Sequence, residues 1–426
     1  MRSRTHPPET TPIARITAWQ LPAVLLVLAS SAASAPRADA GADWPQYRGV
    51  NRDGTSAATG LRKSWPAAGP AVVWRKPIGV GFSGISASGG RLYTMDANAD
   101  SELAVCLKAD TGEEIWRTPL GPRFVEEFGD GPRSTPTVDG DLLYALSSYS
   151  KLFALKTSDG SKVWEVDLPG AFGGRVPRRG AASSPLVDGG LVLVEGGGTE
   201  GKAIQAFDKL TGATKWTSQD GSPGYASGIA VTVDGVRQEV FARTGSKDII
   251  SLTPAGQVHW KHEWVPGVIA MPLFVPPNRI FASAADDVGS ILLEIGTKDG
   301  APSVREVWSS RAMKNHFNSS VLAKDHIFGF DNASLKCVSA ATGEQKWVQR
   351  GFGKGSLIAA DGLLIVLSEQ GLLALADATP EGYRERGRFQ ALTGKAWTSP
   401  TLAGGRLYLR DQDEIVSLDL RAAGKS

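Results

Sequence analysis

The sequence predicts an all-β fold built from repeated four-stranded antiparallel sheets, and three observations lead to it. First, a Gly followed four residues later by Trp recurs along the chain, as in ADTGEEIW at 109–116 and TSDGSKVW at 157–164. Second, short apolar runs punctuated by Asp-Gly or Gly-Gly precede each copy, which is typical of antiparallel hairpins with tight turns. Third, no helical periodicity follows the first 40 residues.

The first 40 residues are predicted to be a signal peptide with its cleavage region. A basic lead precedes the apolar run LPAVLLVLA at 21–29, and SSAASAPRADA at 30–40 offers small-residue cleavage sites after Ala35 or Ala40. The run is shorter than the roughly 20 apolar residues that a membrane span needs, and no Cys follows it directly to carry a lipid anchor. We therefore expect residues 41–426 to be a periplasmic or secreted domain without a membrane span.

The composition indicates a globular chain without the surplus of positive charge that binding to polyanions requires. Of 426 residues, 42% are hydrophobic and 21% are charged, which is enough apolar surface for a sizeable core. The formal net charge of +2 arises within the first 15 residues, and beyond them basic and acidic side chains are equal in number. Nucleic acids and anionic membrane surfaces attract proteins with a surplus of Lys and Arg, so we expect neither as the main partner.

Each repeat is predicted to contribute four strands. It opens with a small polar segment such as STPTV at 134–138, continues through a turn into DGDLLYAL at 139–146, and adds a third run, KLFALK at 151–156. The Gly turn and the Trp strand complete the unit. Positive φ in such a turn costs a residue with a Cβ about 1–2 kcal/mol but costs Gly almost nothing. The Trp, at a fixed place on the outer strand, is predicted to fill the gap between neighbouring sheets.

Seven tryptophans take this docking position, roughly 40 to 50 residues apart, a spacing typical of propeller repeats. They are predicted to be structural and not catalytic: Trp74, Trp116, Trp164, Trp216, Trp260, Trp308 and Trp347. Phe389 stands in a degenerate copy. Cys106 and Cys337 occupy one equivalent place in two copies. Because equivalent places in separate units do not come within the roughly 4.4–6.8 Å between Cα atoms that a disulfide requires, we expect no disulfide.

The count of units gives eight when the two chain ends are combined. AVVW at 71–74 has the pattern of a fourth strand without the first three, whereas residues 397–420 supply three strands without a fourth. Together they complete one blade, which pairs the N- and C-terminal strands and removes the exposed edges of an open sheet. Four-stranded repeats of this length indicate a β-propeller. Residues 41–426 are therefore predicted to form a single eight-bladed propeller.

The unit LKADTGEEIW at 107–116, in eight copies, resembles the PQQ-like repeat of quinoprotein-type propellers. The opening DWPQYRGVNRDG at 43–54 is similar to a segment of exported bacterial members, and the resemblance covers about residues 43–420. It implies one of two groups. Quinoprotein dehydrogenases oxidise alcohols or sugars with pyrroloquinoline quinone and calcium, whereas the BamB-like branch is non-enzymatic and binds proteins of outer-membrane assembly.

The residues favour the non-enzymatic branch. The resemblance to dehydrogenases implies two adjacent cysteines over the quinone, and this chain has none. Calcium prefers hard oxygen ligands, but hairpin turns explain the acidic residues of FDNASL at 330–335 and SAADDVGS at 283–290. We therefore expect no quinone, calcium or other metal, and a monomeric scaffold that binds a protein or peptide partner. A PQQ-dependent dehydrogenase and a carbohydrate- or small-ligand-binding propeller remain alternatives.

A candidate site is predicted where the innermost strands begin. Alignment of the units places eight residues at one equivalent position, with His316 directly before one of them: Phe82, Arg133, Ala182, Tyr225, Ile269, Phe317, Lys354 and Trp397. Two cations and four aromatic rings suit a planar anion or an acidic peptide segment. We expect a ligand-binding axial pocket without covalent chemistry, formed by Arg133, Lys354, Trp397, His316, Tyr225, Phe317 and Phe82. The alternative is that these side chains only fill the funnel.

Overall fold

In the computed structural model, residue 1 and residues 42–265, 267–285 and 287–422 are described. The predicted signal peptide and cleavage sites lie outside these residues. Eight four-stranded antiparallel sheets form the blades of a propeller, which confirms the predicted fold. The innermost strands of neighbouring blades contact each other around the central axis.

Blades A to D follow one another along the chain, and each is given from its innermost to its outermost strand. Blade A comprises Ser86–Ser88, Arg91–Ala97, Ser101–Lys108 and Glu114–Pro122. Blade B comprises Thr137–Asp139, Leu142–Leu146, Lys151–Lys156 and Lys162–Asp167. Blade C comprises Leu186–Asp188, Leu191–Val194, Ile204–Asp208 and Thr214–Ser218. Blade D comprises Ile229–Val233, Val236–Ala242, Asp248–Leu252 and Val258–Glu263.

Blades E to H complete the ring. Blade E comprises Leu273–Val275, Arg279–Ala284, Gly289–Lys298 and Ala301–Ser310. Blade F comprises Val321–Ala323, His326–Asp331, Ser334–Ser339 and Gln345–Gln349. Blade G comprises Ser356–Ala360, Leu363–Leu367, Leu372–Asp377 and Glu385–Gln390. Blade H comprises Thr401–Ala403, Arg406–Arg410, Glu414–Asp419 and, from the other end of the chain, Ala71–Pro77.

Blade H closes the ring as predicted. Its outermost strand, Ala71–Pro77, pairs antiparallel with Glu414–Asp419, so residues from both ends of the described chain share one sheet. An additional short strand, Thr55–Ser56, runs parallel to the innermost strand of blade G and extends that sheet. One short helix, Leu168–Phe172, lies in the connection between blades B and C, in the part of the chain that the structure describes.

The small polar segments that open the repeats join neighbouring blades. The amide of Gly84 donates to the hydroxyl of Thr135 at 3.1 Å, and the amide of Thr135 donates to that of Ser184 at 3.0 Å. The amide of Ser184 in turn donates to the hydroxyl of Ser227 at 2.8 Å. Buried amides need such partners because an unpaired one costs about 1–3 kcal/mol. Ser and Thr therefore recur here because each hydroxyl satisfies an amide of the preceding blade.

The Gly and the Trp of successive repeats form one contact between blades. The indole N–H of Trp164 in blade B donates to the carbonyl of Lys209 in blade C at 3.1 Å. Gly212, in the same turn of blade C, lies against that ring, and a Cβ built on it would come within 2.7 Å of the indole. Its φ of +72° also favours Gly. The turn residue is Gly both for its backbone conformation and for its contact with the preceding blade.

The same contact recurs around most of the ring. Six indoles donate to a carbonyl of the next blade at 2.8–3.1 Å: Trp74, Trp116, Trp164, Trp216, Trp308 and Trp347. Trp260 differs, since its indole donates at 2.6 Å to the side-chain oxygen of Gln238 in its own blade. The long outer hairpin of blade E carries Gly300 in open space instead of against Trp260. Trp216 and Trp308 are half-buried, and the other five are buried.

The two cysteines lie directly opposite docking tryptophans. Cys106 pairs in register with Trp116, and Cys337 pairs with Trp347. Both thiols are buried and free. Burial raises the pKa of each to about 12, so neither is a thiolate at neutral pH. They act as small apolar side chains between blades.

Glu239, fully buried between blades C and D, gives a pH-dependent prediction. Burial and the nearby carboxylate of Asp188 raise its pKa to about 7. The folded protein thus holds this proton more tightly than the unfolded chain, so the free energy of unfolding falls as the pH rises from about 4.5 to about 7. Glu239→Gln is expected to raise the free energy of unfolding by about 2–3 kcal/mol at pH 8 and to change this free energy little at pH 4.

Thermal unfolding of both proteins across this pH range measures the effect. Glu306→Gln, on an exposed position of blade E, serves as the control and is expected to leave the melting temperature unchanged. An equal gain from Glu239→Gln at both ends of the pH range would show that burial of this charge does not cause it.

Candidate functional site

Residues 42–56, here called the plug, run through the central channel. Trp44 exchanges two backbone hydrogen bonds of 2.8 Å with Ala87 of blade A, and the amide of Val138 in blade B donates to the carbonyl of Pro45 at 2.7 Å. The strand Thr55–Ser56 ends the plug on blade G. The plug therefore connects distant blades across the axis.

Two buried arginines fix the plug. Arg48 and Arg52 are 2% and 3% exposed. Arg48 donates to the carbonyl of Ser320 in the connection before blade F at 2.6 Å. Arg52 donates to the carbonyls of Ser184, Pro185 and Gly228 at 2.9–3.1 Å. Burial lowers the pKa of Arg52 to about 10, which still leaves it protonated at neutral pH.

A cavity of about 380 Å³ lies on the axis. All eight residues at the equivalent position line it, together with His316: Phe82, Arg133, Ala182, Tyr225, Ile269, Phe317, Lys354 and Trp397. Each stands two to four residues before the innermost strand of its blade. Tyr47 of the plug also lines the cavity. The cavity thus lies between the plug and the mouth formed by the connections between blades.

One wall of the cavity is aromatic. The ring of Trp397 stacks on Phe82 with centroids 5.4 Å apart and contacts Phe317 at 4.9 Å. The carboxylate of Glu369 accepts a hydrogen bond of 2.9 Å from the Trp397 indole and another of 3.2 Å from the Lys354 amide. His316 packs edge-on against Phe317 at 5.3 Å. Glu369 therefore orients the wall, and the rings present a continuous apolar surface.

The two predicted cations differ in how far they are compensated. Arg133 donates to the carbonyls of Gly129 and Gly131, and its Nη2 lies 3.5 Å from a carboxylate oxygen of Glu126. Burial lowers the pKa of Arg133, and Glu126 opposes that shift. Lys354 is half-buried, and its ammonium forms no ion pair with any described residue. Of the two cations, Lys354 is thus the one whose charge is not balanced by a carboxylate of a described residue.

Polar side chains also line the cavity. The hydroxyl of Tyr225 accepts a hydrogen bond of 3.2 Å from the amide of Arg179. Ser399 is 9% exposed, and its hydroxyl has no hydrogen-bond partner among the residues that the structure describes. A buried hydroxyl normally finds a partner in the protein or in a bound molecule. Ser399 lines the cavity two residues after Trp397, with a hydroxyl oxygen that is itself buried.

Three further residues at the mouth are absent from the predicted set. Glu126 and Phe128 come from the connection between blades A and B, and Arg179 comes from the connection between blades B and C. The guanidinium of Arg179 lies 4.2 Å from the centroid of the Phe128 ring and bonds to Glu126. These connections do not repeat, so alignment of the units cannot find them. The only sequence signal is the charged and aromatic run FVEEF at 124–128.

Asp331, in the segment FDNASL considered above for calcium, has another role. Asp331 forms an ion pair of 2.5 Å with Lys336. In residues 42–422, as far as they are described, no three His, Cys, Asp or Glu side chains lie together as a metal site. No helix in the same residues is both long enough and apolar enough to cross a membrane.

The blade count, the Gly–Trp contacts and the closure of the ring define a PQQ-like repeat β-propeller. A family model described as outer membrane protein assembly factor BamB matches residues 106–349. The chain belongs to this family.

Curated relatives include both BamB proteins and a quinohemoprotein dehydrogenase. BamB of Yersinia pestis is 27% identical over 157 residues, covering 35% of this chain and 36% of that protein. The quinohemoprotein alcohol dehydrogenase ADH IIB of Pseudomonas putida is 27% identical over 223 residues, covering 45% and 32%. The matches thus span about a third of the length of each relative.

Solved structures show the same fold at low identity. BamB from Moraxella catarrhalis superposes with a TM-score of 0.61 at 17% identity, covering 84% of this chain and all of that one. The quinohemoprotein alcohol dehydrogenase from Comamonas testosteroni gives 0.60 at 11% identity, covering 90% and 81%. At such identities the likeness establishes the fold, and function must be argued from the site.

Proposed function

We propose that this chain is an exported, non-catalytic propeller that binds an acidic segment of a partner protein in its axial cavity. The observation that carries the proposal is the lining of the cavity, which combines the aromatic surface of Trp397 and Phe317 with Lys354, whose ammonium forms no ion pair with any described residue. Carboxylates pair with such a cation, and apolar side chains pack on such rings.

The mouth supports a protein ligand over a small molecule. Phe128 is 43% exposed and Val125 is 72% exposed, and both belong to the connection that borders the mouth. Phe128 also lines the cavity, so its exposed side chain extends the apolar surface to the outside, where a longer chain contacts it and a small ligand does not. The relatives described as outer membrane protein assembly factors make periplasmic proteins the first partners to test.

The alternative function, quinone-dependent dehydrogenation, is favoured by the similarity to ADH IIB. The side chains around the cavity do not fit a calcium-bound quinone. Calcium takes six to eight oxygen ligands, but Glu126 is the one carboxylate among the described residues that line the cavity, and it already pairs with Arg133 and Arg179. The adjacent cysteines of the dehydrogenases are missing from the sequence. We infer that the chain works without this cofactor.

Binding of a fluorescein-labelled peptide, Asp-Glu-Phe-Asp-Glu, tests the proposal by fluorescence anisotropy. Lys354→Met keeps the aliphatic stem and removes the charge, so it is expected to weaken binding about tenfold through the loss of one charge-assisted hydrogen bond. The matched control is Lys298→Met, on an exposed position of blade E, which is expected to bind as the wild type does. The uncharged peptide Asn-Gln-Phe-Asn-Gln is expected to bind weakly to all three proteins.

Equal affinity of the wild type and Lys354→Met for the acidic peptide would contradict the proposed site. A dye-linked dehydrogenase assay after incubation with pyrroloquinoline quinone and calcium tests the alternative function. If the wild type turns over an alcohol or sugar and Lys354→Met does not, the protein is an enzyme and not a non-catalytic scaffold.

A further inference from the structure

A loop of residues 123–131, here called the rim loop, connects blades A and B beside the mouth of the cavity. Its base is anchored by Phe124, which is 8% exposed and packs edge-on against Tyr149 at 5.3 Å. Arg123 and Asp130 pair across the loop at 2.7 Å. The tip, residues 126–129, therefore extends from a fixed base towards the cavity.

Cations hold the tip in place. Arg133 donates to the carbonyl of Gly129 at 2.7 Å, and Lys395 from the connection between blades G and H donates to the carbonyl of Phe128 at 2.8 Å. Arg179 bonds to the carboxylate of Glu126 and lies 3.0 Å from that of Glu127. Within the described residues, the polar contacts from this tip to the protein outside the loop all come from Arg or Lys side chains.

Glu126 occupies the place that an anionic ligand would take. Its side chain is 8% exposed and lines the cavity, and its two oxygens face Arg179 and Arg133. A ligand carboxylate that enters the cavity meets the same two guanidinium groups. Since each guanidinium has a limited number of donors, the ligand and Glu126 compete for them.

We propose that Glu126 is an internal competitor of the ligand, so that an acidic segment displaces it from Arg133 and Arg179 and releases the tip of the rim loop. The identity of the ligand rests on the proposed function. The two events are linked in both directions: if binding frees the tip, then freeing the tip strengthens binding by the same factor.

The substitution Glu126→Gln keeps the shape of the side chain and removes its charge. Without peptide, hydrogen–deuterium exchange of residues 123–131 is expected to be faster in this variant than in the wild type. The variant is also expected to bind the peptide Asp-Glu-Phe-Asp-Glu about fivefold more tightly, at the lower end of typical coupling between sites. In the wild type, saturating peptide is expected to speed exchange in the same residues.

The matched control is Glu127→Gln, the next residue of the tip. Its side chain is 60% exposed, and an exposed ion pair contributes little, so exchange and affinity are expected to stay within about twofold of the wild type. This control separates the buried carboxylate from the general charge of the tip.

Each outcome bears on the proposal. Suppose that Glu126→Gln and the wild type show the same hydrogen exchange in the ligand-free rim loop and the same affinity for the peptide. Internal competition is then overturned, even if binding that depends on Lys354 supports the proposed function. Binding by the variant alone supports competition. If neither protein binds the peptide, the proposed function and the competition fail together, whereas the exchange rates still show whether Glu126 holds the tip.

Discussion

Deletion of residues 42–77 is expected to leave no monomeric protein that unfolds cooperatively. The deletion removes the outermost strand of blade H, Ala71–Pro77, and exposes the edge of Glu414–Asp419 along its whole length. It also removes Trp74, whose ring packs on Tyr408 and whose indole bonds to blade A. An unpaired apolar edge next to an open gap in the ring promotes aggregation. Size-exclusion chromatography with light scattering and thermal unfolding measure the result.

A shorter deletion distinguishes closure of the ring from the effect of the plug. Deletion of residues 42–56 removes Arg48 and Arg52 but keeps the strand that completes blade H. This protein is expected to remain a monomer with a lower melting temperature, because the buried contacts of the plug are lost while the ring stays closed. If the longer deletion also remained a monomer with an unchanged melting temperature, closure by Ala71–Pro77 would not stabilise the ring.

The ring and its closure could be predicted because they follow a repeating pattern. Each strand run, turn and docking Trp occurs several times, so a single weak signal is supported by its other copies. The same repetition places Phe82, Lys354 and Trp397 at one equivalent position, and the structure brings them to one cavity. Whether that cavity binds a ligand stays a prediction that the peptide experiments test.

Features that occur once could not be predicted in the same way. The plug is held by arginines that bond to backbone carbonyls. Because every residue has a backbone carbonyl, the sequence does not indicate which of them accept these bonds. Glu126 and Arg179 come from connections of unequal length and meet only in the folded protein. Trp260 keeps the docking position in the sequence, but a longer hairpin in blade E changes its contact. Contacts that do not repeat from blade to blade therefore determine the position of the plug, the contact of Trp260 and the residues at the mouth of the cavity.

Trp164→Ala is expected to lower the free energy of unfolding by about 3–5 kcal/mol, the usual range for a large aromatic side chain in a core. The ring is 8% exposed, packs on Tyr144 at 5.9 Å and bonds to the carbonyl of Lys209. Its loss leaves a cavity between blades B and C, and the carbonyl of Lys209 keeps only the hydrogen bond from the Tyr144 hydroxyl. Urea unfolding measures the change, and the half-buried Trp216 provides a comparison in which Trp→Ala is expected to cost less.

Two glycines, each in the turn between the third and fourth strands of its blade, separate the backbone cost of the substitution from its contact cost. Gly212 and Gly300 have φ of +72° and +78°, but only Gly212 faces an indole, whereas the space around Gly300 is open. Gly300→Ala is expected to cost about 1 kcal/mol from the backbone alone. Gly212→Ala is expected to cost clearly more, because its Cβ would lie 2.7 Å from the ring of Trp164. In the double variant with Trp164→Ala this additional cost is expected to disappear, since the ring that the Cβ meets is gone. Additive costs in that cycle would mean that Gly212 and Trp164 stabilise the propeller independently.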